Sequence, residues 1–365
     1  MMAVPTETIW DLEPHTGAKH ALLRFYLERW FRILATANRK LNYIDGFCGP
    51  GRYKGGEPGS PLVALDVARG VANRVDRISF LFTDEDKARI EHLKSELAAT
   101  NIPGNFHVVT KNEEFAQSLT NILNKLEDSG ERLAPTFVFI DPFGFAGVPY
   151  QLVKRILQKP KCETFITFMI NSVNRFLTHP EENLRQHMCD IFGTTECFQI
   201  GEPNRMDRLR DLYQSQLQKA AEFVRYFEMR NNQGSLVYLL FFATNNRLDH
   251  IKMKEAMWSV DPQGDFKFSD RTSAQTVLFE PDQAELLWPI IHQQFKAQTV
   301  TVRDVLRFVE DNTPFLNKHM KAALLENESI FTPEVDRLKV APVKIDGSKR
   351  IKKTFPDDAV ITFPA

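Results

Sequence analysis

The stretch Leu41-Asn-Tyr-Ile-Asp45-Gly-Phe-Cys-Gly-Pro-Gly51 constrains the fold of this chain more than any other. A short apolar lead (Leu41, Tyr43, Ile44) runs into an acid and then into a turn carrying Gly46, Gly49 and Gly51. Lacking a Cβ, glycines at a strand's carboxyl end let the backbone turn tightly and approach a ligand closely. Three glycines alone also fit many surface turns. Two later features give them weight: an acid at the tip of the next apolar run, Asp84, and a second acidic strand end, Phe139-Ile-Asp-Pro-Phe-Gly144.

The hydrophobic pattern around this stretch alternates strand and helix. Leu22, Phe25, Tyr26, Leu27, Trp30 and Phe31 recur at helical spacing and predict a helix over residues 16–35. Lys19 and His20 precede its apolar face, either solvated in the first turn or reaching a ligand at the glycine loop. Strands are expected at 41–45, 78–83, 106–109, 136–140, 164–170 and 236–243, and helices at 62–71, 87–98, 116–126 and 248–260. Ser60-Pro61 reads as the start of the first of these, with Ser60 as cap. A short last strand is expected at Thr276–Phe279. This rhythm predicts a parallel α/β sheet of seven strands covered by helices on both faces. The more polar, more helical segment at about 174–232 interrupts it as a helical insertion.

From about Thr299 the pattern changes to two short amphipathic helices, 302–310 and 318–327. A paired ribbon then follows, with 338–345 and 350–355 flanking Asp346-Gly347. The chain therefore divides into an α/β domain over 1–295 and a winged-helix-like domain over 296–365. Between Arg337 and Lys353 seven basic residues stand against the single acid Asp346. That excess suits phosphate contact through Lys349, Arg350, Lys352 and Lys353, against the alternative of a solvated hairpin.

Composition narrows the classes. The formal net charge of -1 excludes binding of polyanions through bulk charge, so any nucleic-acid surface must be a local patch. The four cysteines, Cys48, Cys162, Cys189 and Cys197, form no CxxC pair, which argues against a metal site and for reduced thiols in a cytoplasmic protein. No signal peptide opens the sequence, and no apolar run is long enough to span a bilayer.

Ligands of open α/β sheets lie beyond the carboxyl ends of the strands. That edge gathers Asp45, the glycine loop, Asp84, Asn112 and Asp141. No Walker lysine follows the glycines, which disfavours nucleotide hydrolysis. Asp84, with Asp86 in reserve, is suited to ribose hydroxyls, or either acid simply serves a helix N-terminus. Asp141-Pro142-Phe143 can present a carboxylate and a carbonyl to an exocyclic amine while Phe143 stacks on a flat base. Accepting the amine's hydrogen bonds favours its attack on an electrophilic methyl. The alternative is a strand-ending turn in which Asp141 caps the next helix.

The segments Tyr43-Ile-Asp-Gly-Phe-Cys-Gly-Pro-Gly51, Gly55-Gly-Glu-Pro-Gly-Ser-Pro61, Phe139-Ile-Asp-Pro-Phe-Gly144 and Tyr238-Leu-Leu-Phe-Phe-Ala-Thr244 resemble the three-Cys-motif partner proteins, over most of the chain. The resemblance implies a Rossmann-like class I S-adenosylmethionine-dependent methyltransferase fold and a radical-SAM-like partner bearing the three cysteines. More distantly, Lys19-His20 and the Asp-Pro-aromatic motif are similar to ribosomal-RNA adenine-N6 methyltransferases of the RlmJ type. That similarity implies Asp141 as catalytic residue and Lys19 near the cofactor. The second proline usual in adenine-N6 enzymes is missing here, which leaves the acceptor open.

Two functions follow as expectations. In the first, Asp45, Gly46, Phe47, Gly49 and Gly51 cradle the methionine end of S-adenosylmethionine, Asp84 holds its ribose and Asn112 meets its adenine. Asp141 then holds an amine of a nucleic-acid base. In the second, the chain is a non-catalytic adaptor that binds nucleic acid and docks the radical-SAM-like partner in repair or defence. An open Asp141 pocket favours the enzyme and an occluded one the adaptor. A dinucleotide oxidoreductase would need room for a second nucleotide at the helix after Gly59.

Overall fold

The computed structural model describes residues 7–144, 147–261, 264–270, 282–328 and 338–365. Its contacts divide the chain into two units: Met1–Val260 with Lys267–Gln275, and Asp261–Phe266 with Thr276–Ala365.

The first unit begins with the long helix α1 (Pro14–Leu34), opened by a proline in its first turn. Strand and helix then alternate: β1 (Lys40–Asp45), α2 (Ser60–Ala68), β2 (Arg77–Thr83), α3 (Lys87–Ala98), β3 (Phe106–Lys111), α4 (Phe115–Ser129), β4 (Thr136–Ile140), α5 (Tyr150–Leu157) and β5 (Cys162–Phe168). Three helices follow, α6 (Ile170–Phe176), α7 (Glu182–Phe192) and α8 (Arg205–Gln218), then β6 (Phe223–Arg230), β7 (Leu236–Thr244), α9 (Arg247–Val260) and β8 (Lys267–Ser269).

The eight strands lie in the order β3-β2-β1-β4-β5-β7-β6-β8. From β3 through β5 neighbours are parallel, whereas β7 runs antiparallel to both β5 and β6. This is a Rossmann-like sheet with one reversed strand. The order turns back between β1 and β4, so the crevice beyond their carboxyl ends is where such a sheet binds ligands.

Every residue of β4 and β5 is buried, as expected of strands covered by helices on both faces. One face is built from rings: Tyr43 stacks on Phe137 at 6.0 Å, Tyr26 meets Phe242 at 5.0 Å, and Trp30 meets Phe137 at 6.0 Å. Burying these rings, with Leu22, Leu23 and Leu27, supplies hydrophobic drive for docking α1 on the sheet.

The structure corrects the sequence reading in several places. The expected helical insertion over 174–232 ends at Gln218; residues Phe223–Arg230 are β6, whose burial alternates in part along the strand. The sheet therefore has eight strands, not seven. Helix α5 went unnoticed because Pro149 and Gly147 mask its start. Ser60 is not the cap of α2: Gly59 holds that position without a side-chain bond. The strand expected at Thr276–Phe279 lies outside the described residues.

The second unit comprises α10 (Gln283–Phe295), β9 (Thr299–Thr301), α11 (Val302–Asn312), α12 (Asn317–Glu326), β10 (Lys339–Val340) and β11 (Val360–Thr362). Helix α10 belongs here, so the division falls before it, not after residue 295. A capping box of Thr301 and Asp304 opens α11. Strands form an antiparallel sheet ordered β10-β11-β9. The ribbon expected between 338–345 and 350–355 is much shorter. Gly347, at φ +80°, closes a turn in which the Lys344 N–H donates to Ser348 O at 2.9 Å, and the Arg350 N–H donates to Pro342 O at 2.9 Å. Before Pro342 the chain pairs with β11 instead, Lys339 opposite Thr362 and Val340 opposite Ile361.

Within the first unit Glu163 of β5 is fully buried and accepts from the Tyr26 hydroxyl. Burial, and then the nearby Asp249 carboxyl, push Glu163 well above its ordinary value of 4.5. A carboxyl raised in this way adds stability while protonated, completely below 4.5, and that contribution is lost as pH rises. Glu163→Gln is expected to flatten the fall in urea midpoint between pH 4.5 and 8; equal slopes for both proteins would contradict the assignment.

Candidate active site

The loop after β1 is pinned from below by donors and acceptors of neighbouring strand ends. The Gly46 N–H donates to Phe139 O (3.0 Å), the Cys48 N–H to Thr83 O (3.0 Å), and the Thr83 hydroxyl to Gly46 O (3.0 Å). A Cβ on Gly46 would lie 2.5 Å from the Phe115 ring, so only glycine fits there. Gly51 adopts φ +86°, and the Gly59 N–H closes the loop by donating to Gly51 O at 2.8 Å.

Asp45 is wholly buried at the end of β1. Its Oδ1 accepts the Phe47 N–H at 3.3 Å, and the Ser60 hydroxyl also hydrogen-bonds it. Burial dominates and raises its carboxyl to about 7, against the lowering effect of Ser60 and Phe47. Phe47 is half-buried, edge-on to Phe115.

Asp84, just beyond β2, receives the Gly49 N–H on Oδ2 (3.0 Å) and the Asp86 N–H on Oδ1 (2.9 Å). Burial raises its carboxyl as well, partly offset by these N–H donors and by Arg89. Asp86 caps α3 by accepting from the Ala88 and Arg89 N–H groups, which is the simple helix-start role. Asn112, after β3, is exposed; its amide donates to the Asp84 and Glu85 carbonyls (3.0 and 2.7 Å) and so braces the turn that carries Asp84.

Asp141 stands beyond β4 and caps no helix. Its Oδ2 accepts from Lys19 Nζ at 2.5 Å and its Oδ1 from the Thr167 hydroxyl at 2.5 Å. Lys19 and His20 are buried, not solvated. The Lys19 ammonium also lies 5.3 Å from the Tyr238 ring centre. Burial, then the Lys19 charge, lower His20 to about 3, so its imidazole is neutral near pH 7. One donor on each carboxylate oxygen leaves lone pairs for a ligand and makes Asp141 an oriented anion.

Sequence reasoning missed four partners of this site: Trp10, Tyr53, Arg89 and Thr167. The Trp10 indole lies edge-on to Phe143 (5.5 Å) and to Tyr53 (6.0 Å). The Arg89 guanidinium lies 5.1 Å from the Trp10 ring and 5.4 Å from the Phe143 ring. The Lys54 N–H fixes the Trp10 carbonyl at 2.9 Å. With Trp10 in this position the cleft between Gly49, Ser60, His20, Asp141 and Phe143 holds about 20 Å³ of space, roughly one water. A lone tryptophan in a polar stretch before α1 was the one available signal.

The residues expected to contact nucleic acid divide. Lys349, Lys352 and Lys353 are exposed. Arg350 is not available: it is buried, ion-paired with Glu328, and donates to Thr354 O at 2.7 Å. Among the described residues no cluster of three His, Cys, Asp or Glu side chains could hold a metal ion, and no helix is long and apolar enough to cross a membrane.

No family model matches this chain, and no curated protein matches its sequence. Solved structures similar to it include human methyltransferase-like protein 13 in complex with SAH (10% identity, 68% of this chain and 92% of that one, TM-score 0.37). A putative O-methyltransferase from Klebsiella pneumoniae is another (11%, 67% and 84%, 0.33). Trm1 from Pyrococcus horikoshii with S-adenosyl-L-methionine is a third (10%, 70% and 61%, 0.34). Likeness at this level carries no argument about the site, which is read from its own geometry.

Adding a methyl at Gly46 forces the Phe115 ring to move. Gly46→Ala is therefore expected to cost about 1–3 kcal/mol of unfolding free energy, read by urea denaturation. A change below about 0.5 kcal/mol, the usual surface range, would contradict the close packing.

Proposed function

We propose that this protein is an S-adenosylmethionine-dependent methyltransferase acting on an amine of a nucleic-acid base. The observation that carries the reading is Asp141, held by Lys19 and Thr167 at the same strand edge as Asp45, the glycine turn and Asp84. The strand order with its single reversed strand β7 is the class I methyltransferase arrangement that the sequence motifs resemble.

The donor chemistry suits the cofactor, which would need Trp10 displaced from a cleft that holds about 20 Å³ with it in place. The turn at Gly46–Gly51 offers close backbone approach, and Asp45 and Asp84 place carboxyls at adjacent strand ends for a cationic and a hydroxylated group. When bound, S-adenosylmethionine supplies an electrophilic methyl on a sulfonium. Asp141 would accept a hydrogen bond from the acceptor amine and fix its direction, while Lys19 and Thr167 hold that carboxylate in place. Methylation would cost the amine one proton, which would pass to solvent. Phe143 offers a face to the base, and neutral His20 adds no competing positive charge. The exposed lysines of the second unit, read as a winged helix from its helix-strand-helix-helix-strand-strand order, would meet phosphates.

One observation favours a second reading. The Trp10 indole fills the cleft beside Asp141, as expected of a non-catalytic adaptor that binds nucleic acid beside a radical-SAM-like partner. Methyl transfer distinguishes the two. Labelled methyl from S-adenosylmethionine is expected to reach single-stranded DNA or RNA, and Asp141→Asn to lower kcat about 100-fold or more with cofactor affinity unchanged. Asparagine is preferred to alanine because its amide oxygen can still accept from Lys19, whereas alanine would leave that buried ammonium without an acceptor. Cofactor binding without transfer to any nucleic acid would leave the adaptor.

Asp45 adds a pH dependence. Because its carboxyl is raised to about 7, it holds a proton below that pH and is an anion above it. Affinity for the cationic cofactor is expected to rise between pH 6 and 8 and to stay flat in Asp45→Asn. A flat wild-type profile in isothermal titration would remove Asp45 from the site.

A further inference from the structure

We infer that the second unit carries a binding groove for single-stranded nucleic acid, formed between α12 and the turn at Asp346-Gly347. The groove encloses about 690 Å³, the scale of small-ligand pockets. Lys321 and Leu325 of α12 line it together with Lys349, Ile351, Lys353 and Phe355 of the segment around and after the turn.

Two features set the ligand's chemistry. The lysine rim calls for anions: among the described residues Lys321 and Lys349 make no ion pair, whereas Lys344 is held by Asp346 (3.3 Å) and Asp358 (3.4 Å) and serves the turn itself. The second feature is apolar. Exposed large hydrophobics gather on this turn: Val343, Ile345 at 66% and Ile351 at 75% exposure. Side chains of this kind on a lysine-rich turn remain in water unless the ligand brings its own apolar surface.

A duplex presents a rail of phosphates with its base faces already stacked, so it would satisfy the lysines and leave Ile345 and Ile351 wet. A single strand alternates phosphates with unstacked base faces, and it can cover both. Arg350 is consistent with this division: its pair with buried Glu328 fixes the base of the turn and leaves ligand contact to the lysines. The inference deepens the nucleic-acid half of the proposed function and does not depend on its cofactor half.

The test is fluorescence anisotropy of labelled oligothymidylate with the full-length protein, against a duplex of equal length, over a range of salt. Single strand is expected to bind at least tenfold more tightly than duplex. Lys321→Glu with Lys349→Glu should weaken it at least tenfold and lower the salt slope. Ile351→Ser should weaken the single strand severalfold with the slope unchanged, since it removes apolar contact alone. Circular dichroism and the urea-unfolding midpoint report that the variants remain folded. Duplex bound as tightly as single strand, wild-type affinity in the double variant, or equal displacement by polyglutamate would each overturn the inference. Loss of cofactor binding alone, with oligonucleotide binding intact, would overturn the methyltransferase reading and leave the groove standing.

Discussion

A lysine ammonium buried beneath the strand tips organises the first unit. Lys19 sits on α1, and its partner Asp141 follows β4, with Thr167 of β5 on the other carboxylate oxygen. One charge pair thus ties the first helix to the two central strands at the edge where ligands bind. Removing either partner alone would leave a desolvated charge, which costs about 3–5 kcal/mol. The same pair fixes the direction in which the Asp141 carboxylate points. Structural and chemical demands therefore coincide on one contact.

Around that contact, burial sets the electrostatics. Desolvation raises Asp45 to about 7, raises Asp84 as well, and lowers His20 to about 3. The Asp45 carboxyl, poised near neutrality, can respond to a cation. Backbone N–H groups of Phe47, Gly49 and Asp86 hold these acids in place. The glycine loop is consequently positioned by its own acids as much as by its glycines.

Much of this was legible in the sequence because it was local. The β1 lead into Asp45, the acids at β2 and β4, and the charged helix at Lys87–Ala98 all follow from period and punctuation. What escaped the sequence was set by distant partners. Lys19 stayed open between a solvated first-turn residue and one near the cofactor, because its partner lies 122 positions away. Phe223–Arg230 read as helical because the polar residues around it hid a strand that only the sheet makes favourable. Arg350 counted as a surface cation until Glu328 was found to bury it. Trp10 carried no pattern at all, and only the fold brings it against Phe143.

The glycine turn and Asp84 are read as one cofactor site. Isothermal titration with S-adenosylmethionine and, separately, NADH tests it directly, on the wild type and on Asp84→Ala. The account predicts micromolar binding of S-adenosylmethionine, at least tenfold weaker in the variant, and no heat with NADH. Equal binding by both proteins, or heat with NADH alone, would contradict it.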